Sequence, residues 1–282
     1  MTSTRTRSAR RSALAVATAG VALVALTACS SSATTPAASA ASSSSGAPSA
    51  TASAGTALSG KLTVFAAASL KNTFTKFGKE FEAAHPGVTV TFNFGGSDTL
   101  AASIVSGAPA DVFASASLAT MTTVTKASDN AAAPANFARN ALEIAVVPGN
   151  PKNITSLSAL AAPGTKVALC AKTVPCGAAA VKALGAANVK VTPVTYEQDV
   201  TSALTKVELK EVDAALVYRT DVLGAKGKVV GVDFPAAQQA ITTYPIAPLA
   251  HGSNSAAAQA FTAFVLSAPA QQELAAAGFQ AP

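Results

Sequence analysis

The sequence predicts an α/β protein with two lobes, each a mixed sheet flanked by helices, joined by two hinge crossings of the chain. Strand and helix patterns alternate from Lys61 onward, which is typical of sheets covered by helices. The alternation falls into two blocks, and extended segments at 142–147 and 244–249 stand where the chain would pass between them. The expected bounds are 61–141 plus 248–282 for lobe 1, and 142–247 with the hinge strands for lobe 2.

The first 29 residues have the pattern of an export signal. Four arginines between positions 5 and 11 precede an apolar stretch at 13–26. This stretch has about 14 weakly apolar residues, which is short for a membrane span of roughly 20. Leu26-Thr27-Ala28-Cys29 has the form of a lipobox. We therefore expect 1–29 to be a lipoprotein signal peptide, exported by ordinary secretion or by the twin-arginine route, with Cys29 lipidated on the outer face of the cell membrane.

Residues 30–60 predict a flexible tether. They are Ser, Ala, Thr, Gly and Pro, with Leu58 as the one sizeable apolar side chain and no charge. Such a segment cannot bury enough apolar surface to offset the entropy of ordering it.

The net charge gives no support for nucleic-acid binding. Of the 20 Lys and Arg residues, four lie in the export signal, which has no acidic residue. The rest of the chain has 16 basic and 14 acidic residues, a charge of +2. The excess of basic residues in the full chain therefore comes largely from the export signal.

The first element of the body is a strand at 62–68 that runs into Ser69. Four large apolar residues follow at helical spacing, which puts them on one face of a helix. They are Leu70, Phe74, Phe77 and Phe81. Ser69 stands where an N-cap residue belongs. A helix N-terminus presents unpaired backbone N–H groups and partial positive charge, so this turn is a potential anion site.

A similar turn follows directly. Residues 88–94 alternate as a half-buried strand, Gly95-Gly96 breaks it, and Ser97-Asp98 caps a second helix. Residues 107–110 then form a turn into a short strand at 111–114.

The second block repeats the alternation. Its predicted strands are 142–147, 166–170, 214–218 and 229–232. Its predicted helices follow the loop 171–177 and begin at 197–199. An extended segment at 244–248 precedes two alanine-rich helices, around 261–266 and 271–277, which we expect to return to lobe 1.

Cys170 and Cys176 remain if Cys29 is lipidated. In an exported protein an even number of cysteines favours a disulfide. Two free thiols are the alternative. The spacing has no nearby histidine or third cysteine and is poor for zinc.

Catalytic residues are missing from the sequence. His85 and His251 are the two histidines, and neither lies near other ligand-type residues. No nucleophile elbow, phosphate loop or dinucleotide turn is present. We expect a protein that is not an enzyme and has no metal-cation site. A serine hydrolase that uses Ser69 or Ser97 with His251 is a rival hypothesis, as is a structural or adhesive surface lipoprotein.

Six segments in order resemble the periplasmic molybdate-binding proteins, the substrate-binding components of molybdate ABC importers. They are Phe65-Ala66-Ala67-Ala68-Ser69-Leu70, Gly95-Gly96-Ser97-Asp98-Thr99-Leu100, Gly107-Ala108-Pro109-Ala110-Asp111-Val112-Phe113, Val174-Pro175-Cys176-Gly177, Glu197-Gln198-Asp199-Val200 and Val217-Tyr218. The resemblance covers essentially all of 61–282. It implies a type II periplasmic-binding-protein fold that closes on an oxyanion.

The resemblance also implies the ligand contacts. Ser69 and Ser97 would supply hydroxyl and backbone donors, Cys176 and Val200 would donate through their backbone N–H groups, and Tyr218 would donate its hydroxyl. The alternative is that the serines are N-caps and the tyrosine lies at the edge of the core. Cys176 departs from the alanine that is frequent in the family, and an inward-facing Arg219 would add a charge to a neutral site.

The implied function is capture of molybdate, and of tungstate, outside the cytoplasm for delivery to the membrane subunits of an ABC importer. We expect a monomer without a cofactor, held to the membrane by its N-terminal lipid. The alternative is the same fold binding another oxyanion, such as sulfate, phosphate or a small carboxylate.

Overall fold

The computed structural model describes residues 57–282. The predicted signal peptide, the lipidation of Cys29 and all but the last residues of the tether lie outside this range. Among the described residues, no helix combines the length and apolarity that a membrane crossing requires.

The first sheet has five strands in the order β2-β1-β3-β10-β4. Their bounds are β1 Ser59–Ala67, β2 Gly87–Gly95, β3 Val112–Ala114, β4 Ala135–Asn140 and β10 Thr242–Pro248. β1 is parallel to β2 and β3, and β10 is antiparallel to β3 and β4. Five helices belong to this lobe: α1 Lys71–Ala84, α2 Ser97–Val105, α3 Leu118–Lys126, α7 Ser255–Leu266 and α8 Ala268–Ala276.

The second sheet has the order β7-β6-β8-β5-β9. Its strands are β5 Leu142–Val146, β6 Val167–Cys170, β7 Thr195–Glu197, β8 Ala214–Tyr218 and β9 Val230–Val232. β6 is parallel to β7 and β8, and β5 is antiparallel to β8 and β9. Its helices are α4 Pro175–Ala186, α5 Val200–Glu208 and α6 Arg219–Gly224. Short 3-10 segments are Ala68–Leu70, Leu157–Ala161 and Pro235–Ala240.

The predicted fold class is therefore confirmed: two lobes, each a mixed sheet with helices, joined where the chain passes from β4 to β5 and from β9 to β10. Two boundaries differ from the expectation. β1 begins at Ser59, inside the predicted tether, because it pairs with β2 from Gly87 onward. Thr242–Pro248 pairs within the first sheet, so residues from 242 lie in lobe 1 and not in lobe 2.

Side chains of β1 alternate between two cores of the first lobe. Val64 faces a cluster that includes Phe74, Phe81 and Phe261, while Phe65 faces a smaller cluster on the opposite side. This is the period of two that a strand imposes when both faces are buried. The second lobe has one apolar core, and the carboxyl ends of β1, β2, β6 and β8 are left facing the space between the lobes.

Candidate functional site

A pocket between the lobes contains all five residues for which the sequence predicts ligand contacts. Ser69 and Ser97 come from the first lobe, and Cys176, Val200 and Tyr218 come from the second. The space within the pocket, including its mouth, is about 220 Å³. Because this figure also counts the open mouth, the room inside the pocket suits only a small ligand.

Ser69 lies in the 3-10 turn Ala68–Leu70 between β1 and α1. The prediction that it is an N-cap is wrong, because a 3-10 turn precedes α1 and the N-cap position of α1 is Leu70. The Ser69 hydroxyl is buried and lies 2.9 Å from the hydroxyl of Tyr244. It is therefore held by a tertiary contact instead of by its own helix.

Ser97 is the first residue of α2, and Gly96 takes the N-cap position that was expected for Ser97-Asp98. The Ser97 hydroxyl is buried and accepts a hydrogen bond from the backbone N–H of Ala116 at 3.0 Å. A hydroxyl that accepts at its oxygen keeps its proton for another partner. Ser97 can therefore donate both this proton and its first-turn N–H group to a ligand.

Cys176 is the second residue of α4, directly after Pro175. Its N–H belongs to the first turn of the helix, where no intrahelical acceptor exists. Cys176 is joined to Cys170, at the end of β6, by a disulfide with an Sγ–Sγ distance of 2.07 Å. The bridge ties the start of α4 to the strand that precedes it.

We expect replacement of both Cys170 and Cys176 by alanine to lower the free energy of unfolding by about 2 kcal/mol, since the bridge closes a short loop. Ligand affinity should change much less, because Cys176 offers its backbone and not its sulfur to the pocket. Urea unfolding of wild type and the double variant gives the first quantity, and calorimetry gives the second. Mass spectrometry of unreduced wild-type protein after alkylation should find no free thiol at these positions. An affinity loss above tenfold would contradict the expectation that the disulfide stabilises the fold and contributes little to binding.

Val200 begins α5, and Asp199 is its N-cap. The Asp199 carboxylate accepts from the N–H of Ser202 at 2.9 Å and from the Ser202 hydroxyl at 3.1 Å. The acid is therefore engaged by its own helix, while the Val200 N–H remains among the unpaired donors of the first turn.

Tyr218 ends β8 with 1% of its surface exposed. Its hydroxyl oxygen is buried beside Thr242 and Tyr244 and makes no hydrogen bond of good geometry within residues 57–282. Burial raises the pKa of this phenol well above its usual value, so it remains a donor. A buried hydroxyl without a partner costs free energy, and one that lines a pocket is suited to a polar ligand.

Helix starts, and not cationic side chains, make the pocket electrostatically favourable to an anion. The starts of α2, α4 and α5 and the 3-10 turn at Ala68 all face it, and each helix start carries partial positive charge. No Lys or Arg of the described residues lines it. Arg219 does not line it and instead pairs with the Asp233 carboxylate, 3.5 Å away.

Asp221 is a buried acid near the pocket that the sequence did not single out. Its carboxylate accepts from the backbone N–H of Tyr218 at 2.9 Å. Burial raises the pKa of Asp221 to about 7, although the hydrogen bond from Tyr218 opposes the shift. In the sequence, its position three residues after Tyr218 is the only feature that could have drawn attention to it.

This raised pKa makes stability depend on pH. The folded state binds the Asp221 proton more tightly than the unfolded state, whose pKa is about 3.9. Protonated Asp221 therefore stabilises the fold fully below about pH 4. This stabilisation, a few kcal/mol at most, is lost as pH rises through 7. We expect Asp221→Asn, which keeps the acceptor oxygen, to flatten this loss in urea unfolding measured from pH 4 to 8. Asp213→Asn is the control, since Asp213 makes a similar bond to Lys166 N–H in an exposed setting. If the free energy of unfolding changes equally with pH in wild type and Asp221→Asn, Asp221 is not the source of the pH dependence.

The rival hydrolase constellation is not assembled. His251 is largely exposed and lies beside Asp129, 3.5 Å away, while Ser69 and Ser97 line the pocket without it. No group of three His, Cys, Asp or Glu residues within 57–282 is placed to hold a metal ion.

Two α/β lobes with a small pocket between them, lined by hydrogen-bond donors of both lobes, define the class of two-lobed solute-binding proteins. A family model described as bacterial extracellular solute-binding protein matches residues 62–280. The chain belongs to this family.

Individual relatives agree with this membership. Molybdate-binding protein ModA of Mycobacterium tuberculosis is 43% identical over 221 residues, covering 78% of this chain and 85% of the relative. The protein of the same name from Escherichia coli is 33% identical over 212 residues, covering 72% and 82%. The periplasmic molybdate-binding protein of Azotobacter vinelandii has the same fold, with a TM-score of 0.66, 20% identity, and coverage of 78% and 99%.

Proposed function

We propose that this protein captures molybdate, and tungstate, outside the cytoplasm and delivers it to an ABC importer. One observation carries the proposal: Ser69, Ser97, Cys176, Val200 and Tyr218 converge on one small pocket from both lobes. Its support from relatives is the 43% identity to a protein named for molybdate binding.

The binding mechanism needs donors that are aimed before the ligand arrives. Molybdate is a dianion that carries no proton at neutral pH, so each of its oxygens accepts and none donates. Each charge-assisted hydrogen bond contributes roughly 1.5–3 kcal/mol. After the costs of desolvation, closure and lost freedom we expect a net of about 8–12 kcal/mol, which corresponds to micromolar to nanomolar affinity.

Selection against sulfate then depends on size. Sulfate is also a tetrahedral dianion, but its shorter bonds cannot reach every donor of a pocket built for molybdate. Tungstate is nearly isosteric with molybdate and should bind comparably.

Calorimetric titration of the purified mature protein tests the proposal. We expect sodium molybdate and sodium tungstate to bind tightly and one to one, and a hundredfold excess of sulfate to displace neither. Tight binding of sulfate or phosphate with weak binding of molybdate would replace the proposal with the other-oxyanion alternative. An anion-independent melting temperature would overturn both.

We further propose that the receptor acts as a monomer, needs no cofactor and catalyses no reaction. In this proposal Cys29 carries the lipid and residues 30–58, which precede β1, tether the lobes to the membrane, which raises their effective concentration at the importer. Closure of the lobes on the anion would form the surface that the importer's membrane subunits recognise. Cys29→Ser should release the protein from washed membranes, and retention of that variant would refute the anchor.

Tyr218→Phe should have opposite effects on stability and binding. The substitution removes a buried hydroxyl that has no partner within the described part of the chain, so the free protein should be as stable as wild type or more stable. Molybdate should bind about 10- to 100-fold more weakly, because a charge-assisted donor is lost. Thermal melting without ligand and calorimetry with it separate the two effects. Unchanged affinity would remove Tyr218 from the site.

A further inference from the structure

Tyr244 lies behind the wall of the pocket. It belongs to β10 of the first lobe, is fully buried, and is not among the pocket-lining residues. Its hydroxyl is 2.9 Å from the Ser69 hydroxyl, and its ring meets the ring of Tyr218 edge-on at 6.1 Å. Tyr244 therefore contacts two residues of the proposed site without facing the ligand itself.

Asn140 occupies one of the two acceptor positions of the Tyr244 hydroxyl oxygen. Its Oδ1 accepts from the N–H of Ala141 at 3.1 Å, so its Nδ2 group faces the other way. Nδ2 donates to Thr220 Oγ1 at 2.8 Å and to the Tyr244 oxygen at 3.4 Å. An amide nitrogen of this kind can only donate, so Tyr244 is the acceptor of that bond.

The proton directions follow from the proposed ligand. Ser69 lines the pocket, and an oxyanion has only acceptors, so the Ser69 hydroxyl can bind it only by donating its single proton. The Ser69 oxygen is then left to accept, and the Tyr244 hydroxyl, 2.9 Å away, is the donor. Burial also raises the pKa of Tyr244 far above its usual value, which keeps the donor proton in place at any physiological pH.

We infer that Tyr244 is a positioning residue that makes the Ser69 hydroxyl a donor toward the bound anion. The inference rests on the proposed function. The Ser97 hydroxyl also keeps its proton for the ligand, because its oxygen accepts from the N–H of Ala116. Both pocket-lining serines thus present protons to an anion that has only acceptors. Without the Tyr244 hydroxyl, the Ser69 proton would have to be ordered when the ligand binds, at a cost in affinity.

A double-mutant cycle measured with sodium molybdate tests the inference. We expect Tyr244→Phe to weaken binding about three- to tenfold, the typical value of one neutral hydrogen bond. Ser69→Ala should weaken it about 10- to 100-fold. In the Ser69→Ala background, Tyr244→Phe should have no further effect, because it acts through the serine that is no longer present. A purely structural role for Tyr244 would instead give losses that add.

The control is Tyr196→Phe, since Tyr196 is about half exposed and lies in β7, at the edge of the second sheet. It should bind as wild type. Unchanged affinity in Tyr244→Phe, or additive losses in the double variant, would overturn the inference. If Tyr244→Phe does not fold, the same cycle with Asn140→Ala tests the network from its other end.

A second measurement separates this inference from the proposed function. In an NMR spectrum of the ligand-free protein, the slowly exchanging Tyr244 hydroxyl proton should show a nuclear Overhauser effect to the Ser69 β-protons. A Ser69 hydroxyl proton directed at the Tyr244 oxygen would overturn the inference. If wild type binds no molybdate, the proposed function fails, and this spectrum alone decides the role of Tyr244.

Discussion

Gly96→Ala is expected to weaken ligand binding about 10- to 100-fold while leaving the stability of the ligand-free protein nearly unchanged. Gly96, the N-cap of α2 in the first lobe, faces the second lobe. A Cβ added there would lie 2.5 Å from the backbone carbonyl oxygen of Gln198. Its backbone angles, φ −60° and ψ 129°, suit alanine. Within the first lobe the Cβ would meet a carboxylate oxygen of Asp98 at 2.8 Å, and the end of that side chain can move.

The penalty arises only when the lobes are together. Extra atoms in a packed contact cost roughly 1–3 kcal/mol, and a carbonyl on the backbone cannot rotate away as a side chain can. Because the pocket draws its donors from both lobes, a cost on their approach becomes a cost on binding. Calorimetry with molybdate and thermal melting without it measure the two quantities.

Gly224→Ala is a matched control. A Cβ at Gly224, the last residue of α6, would also meet the opposite lobe, but there it meets the terminal amide nitrogen of Asn72 at 2.5 Å. The end of a flexible side chain can move, so affinity should stay within about threefold of wild type. Equal losses in both variants would show that close packing of Gly96 on Gln198 is not specifically required.

Gly177→Ala is expected to destabilise the fold by about 3 kcal/mol or more and to weaken binding as well. Gly177 is the third residue of α4, and a Cβ there would overlap the carbonyl group of Ala171 and lie 2.8 Å from the carbonyl oxygen of Cys170. All of these atoms belong to the backbone. The first turn of α4 would have to move away from the β6 end, and the Cys176 N–H would move with it.

The melting temperature should fall by about 6–12 °C for a loss of this size. Gly185→Ala is the control in the same helix, because a Cβ at Gly185 meets nothing within 4 Å. That substitution should be neutral or slightly stabilising, since alanine favours helix over glycine. A Gly177→Ala variant with wild-type melting and affinity would show that the loop between β6 and α4 can shift freely.

The order of strands and helices followed largely from local patterns. The face formed by Phe74, Phe77 and Phe81 is buried as its spacing predicts, and the alternation at 88–94 lies within β2. Local patterns did not predict α3, with its four threonines, β4, whose sequence ANFARN does not alternate cleanly, or the short β7 and α6. Tertiary packing stabilises the first two, α3 against α2 and β4 by pairing with β10.

The caps of the first two helices show the limit of local reasoning. Ser69 and Ser97 were natural N-cap candidates, since a serine before an apolar helix is the common pattern. The structure adds a 3-10 turn before α1 and moves the cap of α2 to Gly96, so both hydroxyls are free of that role. Their partners are Tyr244 and the Ala116 N–H, 175 and 19 residues away along the chain.

The sequence by itself determined the alternating α/β architecture and the set of turns at the ends of its strands, because both arise from periodicity and from residue types within short segments. Only the tertiary structure decided that five of those turns face one pocket, that Arg219 does not line it, and that Tyr244, which accepts from Asn140, lies against the Ser69 hydroxyl. These facts depend on contacts between residues that are far apart in the sequence. The direction of a hydrogen bond is likewise set by all the partners of the two groups and not by any one residue type.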